Sequence, residues 1–210
     1  MPSALNPASD SSLDRLGQKF NCDKSSVNRK QGLGSVSSFG HDYLRKYEIY
    51  LRGYTEDSDF SMLELGAGPD WNIGASLKIW KEYFPLANKI VVADNKKSAQ
   101  ELEALGSNIK VVVGDLGNSQ TLSLLKGSYD FIIDDASHIW RHQIDGFNVL
   151  FEGLKPGGLY IVEDIQTSFG SDRNQYCGNA KNPDKLDAFT YFSLMSAYKT
   201  GSFEYHPVYD

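Results

Sequence analysis

Cysteine is scarce in this chain: Cys22 and Cys177 are the only two among 210 residues, far apart and without the spacing of metal ligands. A disulfide framework is thereby excluded, and a reducing cytoplasm is the compartment that such usage fits. Basic excess is missing too, since 21 Lys and Arg face 27 Asp and Glu for a net charge of −6. An acidic chain with no basic run lacks the electrostatic footprint of a nucleic-acid binder. No apolar stretch approaches the ~18–20 residues that a membrane span needs. The first twelve residues have neither the basic nor the apolar region of a signal peptide. With 7 prolines and 19 glycines, the chain is neither collagen-like nor of low complexity. What remains is ordinary: 40% hydrophobic and 23% charged residues, enough to bury a continuous core without staples.

The pattern along the chain changes once. Residues 1–12 are rich in Ser and Pro, carry a single charge at Asp10, and read as a tail. A short helical pattern spans Leu13–Phe20. Residues 21–38 hold five serines, two glycines and no aromatic, which predicts a loop. A second helical stretch carries Tyr43, Tyr47 and Leu51, followed by a charged turn at Thr55–Asp59. From there five apolar runs recur: Phe60–Leu65, Lys89–Ala93, Ile109–Val113, Tyr129–Ile133 and Gly158–Val162. Amphipathic stretches separate them at Ser76–Phe84, Ser98–Leu105, Gln120–Leu125 and Trp140–Leu154. Continuous apolar strands alternating with helices predict an α/β fold, a Rossmann-like, mostly parallel sheet with helices on both faces. The organisation expected is an N-terminal tail, lid loop and helices over 1–58, then the sheet domain over 59–210.

Each of the five runs ends on or beside a carboxylate: Glu64, Asp94, Asp115, the pair Asp134 and Asp135, and the pair Glu163 and Asp164. Asp favours turns, which explains any one of them. Five together point to a ligand site, because open α/β sheets bind ligands beyond the carboxyl ends of their strands. The first strand runs into Glu64-Leu65-Gly66-Ala67-Gly68, a glycine loop that lets backbone approach a ligand closely. A dinucleotide fingerprint would place Gly or Ala where Trp71 stands. The carboxylate of Glu64 would repel phosphate and suits a cationic ligand. Asp94 could accept hydrogen bonds from ribose hydroxyls and Asp115 from an adenine amino group. That order is the arrangement expected for S-adenosylmethionine (SAM), with Glu64, Gly66, Gly68, Ser76, Asp94, Asp115 and Asp134 as the cofactor-binding set.

The stretches LELGAG, GASLKIWKEYFPLA, ADNKKS, DFIIDDASHI and LKPGGLYIVEDIQTS resemble the class I SAM-dependent methyltransferases. More narrowly, they resemble the metal-dependent sugar O-methyltransferases of macrolide biosynthesis and the cephalosporin hydroxylase-like proteins that share their domain. The resemblance covers roughly residues 13–170, and DKSS at Asp23–Ser26 with His41, Tyr43 and Tyr47 is similar to that family's N-terminal lid. Two departures stand out. The loop after Gly68 differs in length and composition, and after the helical Leu186–Tyr198 only Phe203–Val208 remains for an edge strand. The missing edge implies either a truncated chain or completion by another subunit, so a homo-oligomer stays open.

Asp135, Glu163 and Asp164 converge if the fourth and fifth strands are neighbours. Like charges so close destabilise one another; a divalent cation resolves this, and all-oxygen ligands favour Mg²⁺. The resemblance implies the same three positions as metal ligands. His138, three residues past Asp135, is the expected general base, taking a proton from an acceptor with vicinal hydroxyls held on the metal; Asp135 and His138 thus form the catalytic pair. His142 reads as a surface or support residue. Trp71, Trp80 and Trp140 read as core, with Trp140, beside His138, also a candidate for the wall of the pocket. The function expected is Mg²⁺-dependent methyl transfer from SAM to a hydroxyl of a sugar or natural-product glycoside. A SAM-binding enzyme of another class, hydroxylase-like or acting on N or C, and a non-catalytic SAM-binding module are the alternatives.

Overall fold

The computed structural model describes residues 11–27, 40–178 and 186–199. Most of the loop expected over 21–38 and the whole strand expected at Phe203–Val208 lie outside the described residues, as do residues 1–10 of the expected tail. Helices α1 (Ser12–Lys19) and α2 (Leu44–Leu51) precede five strands, β1 (Ser61–Leu65), β2 (Lys89–Asp94), β3 (Ile109–Val113), β4 (Tyr129–Asp134) and β5 (Leu154–Val162). Helix α3 (Ala75–Tyr83) links β1 to β2, a 3-10 helix at Lys97–Leu105 links β2 to β3, and α4 (Ser119–Leu124) links β3 to β4. Helix α5 (Trp140–Leu150) links β4 to β5, and α6 (Arg173–Tyr176) and α7 (Ala188–Lys199) follow. All four strand pairings are parallel, in the order β3-β2-β1-β4-β5. Among the described residues no helix is long and apolar enough to cross a membrane.

Local chemistry explains the boundaries. The Ser11 hydroxyl caps α1 by accepting from the Asp14 amide at 3.0 Å. Helix α3 stops at Phe84 because Pro85 disfavours helical geometry in the residue before it; Phe84 turns to φ −116°, ψ 68°. One boundary differs from expectation. Leu154 begins β5 rather than ending a helix, and Lys155–Gly158 is a register shift within that strand, where Tyr129 faces Leu154 but Phe131 faces Leu159. Pro156 lacks an amide to donate, which a strand at the end of the sheet order tolerates.

Alternation along each strand splits the core in two. Met62, Ile90, Val92, Ile109, Val111, Phe131 and Ile133 join Leu13, Leu44, Leu51, Trp80 and Phe84 on one face, under α1, α2 and α3. Leu63, Leu65, Val91, Ala93, Val112 and Ile132 face the other way, toward Leu122, Leu125 and Leu150. Phe60, Trp80, Phe84 and Phe131 are fully buried, each stabilising the fold by roughly 1.5–3 kcal/mol. The same alternation governs the acids at the strand ends.

Candidate functional site

Strand order reverses between β1 and β4, so the loops leaving these neighbours diverge and open a crevice. The two loops touch through backbone at Gly66. Its φ is +97°, and a Cβ there would run into the Asp135 carbonyl. Gly68 (φ +94°) and the Gly74 that precedes α3 (φ +76°) complete a long loop that includes a 3-10 turn at Asp70–Asn72. The loop is tied down by Gly66 N–H to Ala93 O (2.7 Å), Gly74 N–H to Ala67 O (2.7 Å) and Ala67 N–H to Asp94 Oδ2 (2.8 Å). Gly66→Ala should therefore cost at least ~1–3 kcal/mol in backbone strain alone. A thermal melt unchanged from the parent would contradict this.

A cavity of about 580 Å³ fills the crevice. Gly66, Gly68, Asp94, Asp115, Asp135, His138 and Asp164 all line it, so seven of the residues singled out from sequence share one space. Asp94 is buried, with Oδ2 on the Ala67 amide and Oδ1 on the Lys96 amide at 2.8 Å each. An ionised carboxylate has about four lone-pair directions, so acceptor capacity remains on the cavity side. Asp115 is exposed and accepts from the Gly117 amide.

Four expected site residues are placed elsewhere. Glu64 is fully buried and shares the strand face of Met62, which aims it at α3. There Oε2 accepts from Ser76 Oγ (2.8 Å) and Trp80 Nε1 (2.9 Å). Burial pushes its carboxyl up to about 7, against Lys24 and the Ser76 and Trp80 donors. It supports the glycine loop from below and does not line the cavity. Ser76 is committed to Glu64 and reaches only a small adjoining cavity of about 30 Å³ beside Lys24 and Asp135. Asp134 takes the face of Ile132, pointing away from the crevice toward Gly146 of α5; burial raises its carboxyl to about 7. Glu163 is 3% exposed and accepts from Lys24 Nζ and Tyr47 Oη, both at 2.8 Å.

The cluster that faces the cavity consists of Asp135, His138 and Asp164, whose ligand atoms all lie within 4.8 Å of one another. His138 Nε2 stands 3.4 Å from Asp164 Oδ2 and 3.9 Å from Asp135 Oδ1, while its Nδ1 is buried without a hydrogen-bond partner. Both His138 (φ +55°) and Asp164 (φ +53°) adopt the left-handed backbone region. Such strain in residues other than glycine persists where surrounding structure enforces it, commonly at functional sites. Asp164 Oδ1 accepts from Tyr43 Oη at 2.9 Å and Gln166 Nε2 at 3.1 Å. Burial opposes its ionisation, but Gln166, His138, Tyr43 and His41 outweigh burial and hold its carboxyl below the usual range. His41 also lines the cavity, and Tyr43 and Tyr47 reach the site through these bonds.

Three residues carry more than their sequence reading assigned. Lys24, 2% exposed, donates to both Asp135 and Glu163. Burial opposes its charge, but Asp135 and Glu163 outweigh burial and keep it an ammonium. Burial, with the Asp135 carboxylate beside it, raises the Glu163 carboxyl to about 8, against the Lys24 and Tyr47 donors. His142 lines the cavity, bonded through Nδ1 to Ser137 Oγ at 2.8 Å. Trp71, expected in the core, is 50% exposed on the cavity wall, whereas Trp140 is buried and donates to the Thr167 carbonyl. The signal for Lys24 was a lone lysine in the DKSS motif, distant in sequence from every acid it meets.

Comparison with known proteins follows the same lines. No protein-family model matches the chain. It is 33% identical over 158 residues to mycinamicin VI 2''-O-methyltransferase of Micromonospora griseorubida, covering 67% of this chain and 38% of that protein. It is 35% identical over 138 residues to demethylmacrocin O-methyltransferase of Streptomyces fradiae, covering 61% of this chain and 33% of that protein. A solved structure of MycE methyltransferase from the mycinamycin biosynthetic pathway, in complex with Mg, SAH and mycinamycin VI, superposes with a TM-score of 0.67. It shares 27% identity over 90% of this chain and 49% of that one. The fold is that of the class I methyltransferases, a Rossmann-like parallel sheet with its site at the switch point. Within that class, the chain's relatives are sugar O-methyltransferases of macrolide and tetracenomycin pathways. The chain spans less than half the length of the relatives it matches.

Proposed function

We propose that this chain binds SAM and carries a metal-assisted O-methyl transfer to a sugar hydroxyl of a small natural product. The observation that carries the reading is one cavity lined at once by the glycine loop, Asp94 and Asp115 on one side and by Asp135, His138 and Asp164 on the other. The relatives are sugar O-methyltransferases, and MycE holds Mg and SAH. SAM would supply the methyl group, resting along Gly66 and Gly68 with its ribose at Asp94 and its adenine toward Asp115.

The donor set fits a hard divalent cation. The Asp135 and Asp164 carboxylates face a common space that opens into the cavity, which suits Mg²⁺, a cation that usually keeps water or substrate oxygens among its ligands. Asp135 and Asp164 would hold the ion, with Glu163 behind them on Lys24. A bound Mg²⁺ would supply Lewis acidity that lowers the pKa of an acceptor hydroxyl. His138 receives the proton from that hydroxyl at Nε2, the nitrogen that faces the carboxylates. Asp164 stands where positive charge then forms. Tyr43 and Gln166 keep Asp164 in place. Much of the rate comes from holding the acceptor oxygen in line with the methyl group.

Calorimetry of SAM and of NAD⁺ against the purified chain, with and without Mg²⁺, tests the reading. Binding of SAM alone is expected; binding of NAD⁺ instead would overturn it. Asp94→Ala should weaken SAM by ~1–3 kcal/mol through an unpaired ribose partner and a loosened Ala67 amide. Unaltered SAM affinity in that variant would remove Asp94 from the site.

A further inference from the structure

We propose that Lys24 is the resident counter-cation of the metal site, holding Asp135 and Glu163 together in the ion's absence and weakening the ion's binding when it arrives. The inference rests on the metal reading above and concerns a residue which that reading leaves unused.

Lys24 comes from the loop after α1, more than a hundred residues before either partner, yet its Nζ donates to Asp135 Oδ2 and Glu163 Oε2 in a nearly sealed position. Asp135 is also a member of the Asp135–His138–Asp164 cluster, so one carboxylate is shared between the lysine and the cation site. Charge counting supports the assignment. With all three acids ionised, Asp135, Glu163 and Asp164 would bring three negative charges and Lys24 one positive, a surplus of two that one divalent ion would neutralise. Without the lysine, three carboxylates would crowd one pocket, and their repulsion would favour taking up a proton or the ion. The lysine therefore keeps the acids assembled beforehand, at the cost of a competing positive charge beside the ion.

The same residue ties the cavity wall to the site. The Lys24 carbonyl accepts from the Tyr43 and Leu44 amides, the Asp23 carbonyl from the His41 amide, and the Ser25 carbonyl from the Asp42 amide. Asp23 and His41 line the cavity on this pairing, and Tyr43 reaches Asp164.

The test is a titration of metal-free protein with Mn²⁺, followed by electron paramagnetic resonance of the free ion, together with thermal melts. Lys24→Met should bind Mn²⁺ roughly tenfold more tightly than the parent or better, the effect of one neighbouring charge at the effective dielectric of a protein. It should melt lower than the parent without metal and gain more from added Mn²⁺. Lys24→Arg, which keeps the charge, should bind Mn²⁺ within about threefold of the parent. Equal or weaker Mn²⁺ binding in a folded Lys24→Met overturns the role of the lysine alone, since the parent still binds. A parent and variants that all fail to bind overturn the metal reading and this inference with it. If Lys24→Met folds only with Mn²⁺ present, the holding role stands and Lys24→Gln supplies the affinity; if neither variant folds even with Mn²⁺, the inference fails.

Discussion

His138→Ala is expected to lower methyl-transfer turnover by ~10²-fold or more while leaving SAM affinity unchanged, because a positioned base contributes on that scale and the imidazole is not part of the cofactor-binding side. Its Nε2 lies 3.4 Å from Asp164, its Nδ1 has no partner, and its backbone is in the left-handed region. The loss should fall on kcat rather than KM, since the proton moves only during the reaction. Turnover equal to the parent, measured with the natural acceptor at saturation, would leave water as the proton acceptor and reduce His138 to a wall residue.

Removal of divalent metal by EDTA is expected to abolish turnover, and Asp164→Asn to leave an activity that excess Mg²⁺ partly restores. Asp164 and Asp135 are the two carboxylates of the cluster with His138 that faces the cavity. An amide at position 164 keeps the size of the side chain and its acceptor oxygen for Tyr43, but loses the charge that holds a hard cation. Two roles thus separate by experiment: loss at His138 is insensitive to Mg²⁺ concentration, and loss at Asp164 is not. Full activity in EDTA would refute the metal's part in the reaction. A Mg²⁺ response in the His138→Ala variant as large as in Asp164→Asn would place the imidazole on the metal instead.

The contrast between Asp134 and Asp135 separates what could be read in advance from what could not. Adjacent residues of a strand face opposite ways, so with Phe131 and Ile133 in the core under α3, Asp134 had to point to the α5 face and Asp135 to the other. Alternation was legible in DFIIDD, and applying it would have removed Asp134 from the expected cofactor set. Glu64 obeys the same rule: it shares the face of Met62, and Ser76 and Trp80 stand one helical turn apart on α3 to receive it. Trp71 escaped because its position in an irregular loop follows no period at all.

By itself, the sequence determined the βαβ order, the parallel sheet, the glycine loop and the clustering of acids at one end of the strands, because each depends on neighbours within a few residues. It also pointed to Asp94, Asp115, Asp135, His138 and Asp164, which line one cavity, since strand ends in a parallel sheet all emerge on one side. Only the tertiary structure decided that Lys24 lies between Asp135 and Glu163, and that Tyr43 and Tyr47 reach Asp164 and Glu163. These pairings join residues more than a hundred positions apart, and no periodicity in the chain encodes them. They arise because α1, α2 and residues 21–27 after α1 pack on the face of the sheet to which Asp135 and Glu163 turn. A buried carboxylate there must find a donor or lose the free energy of its hydration.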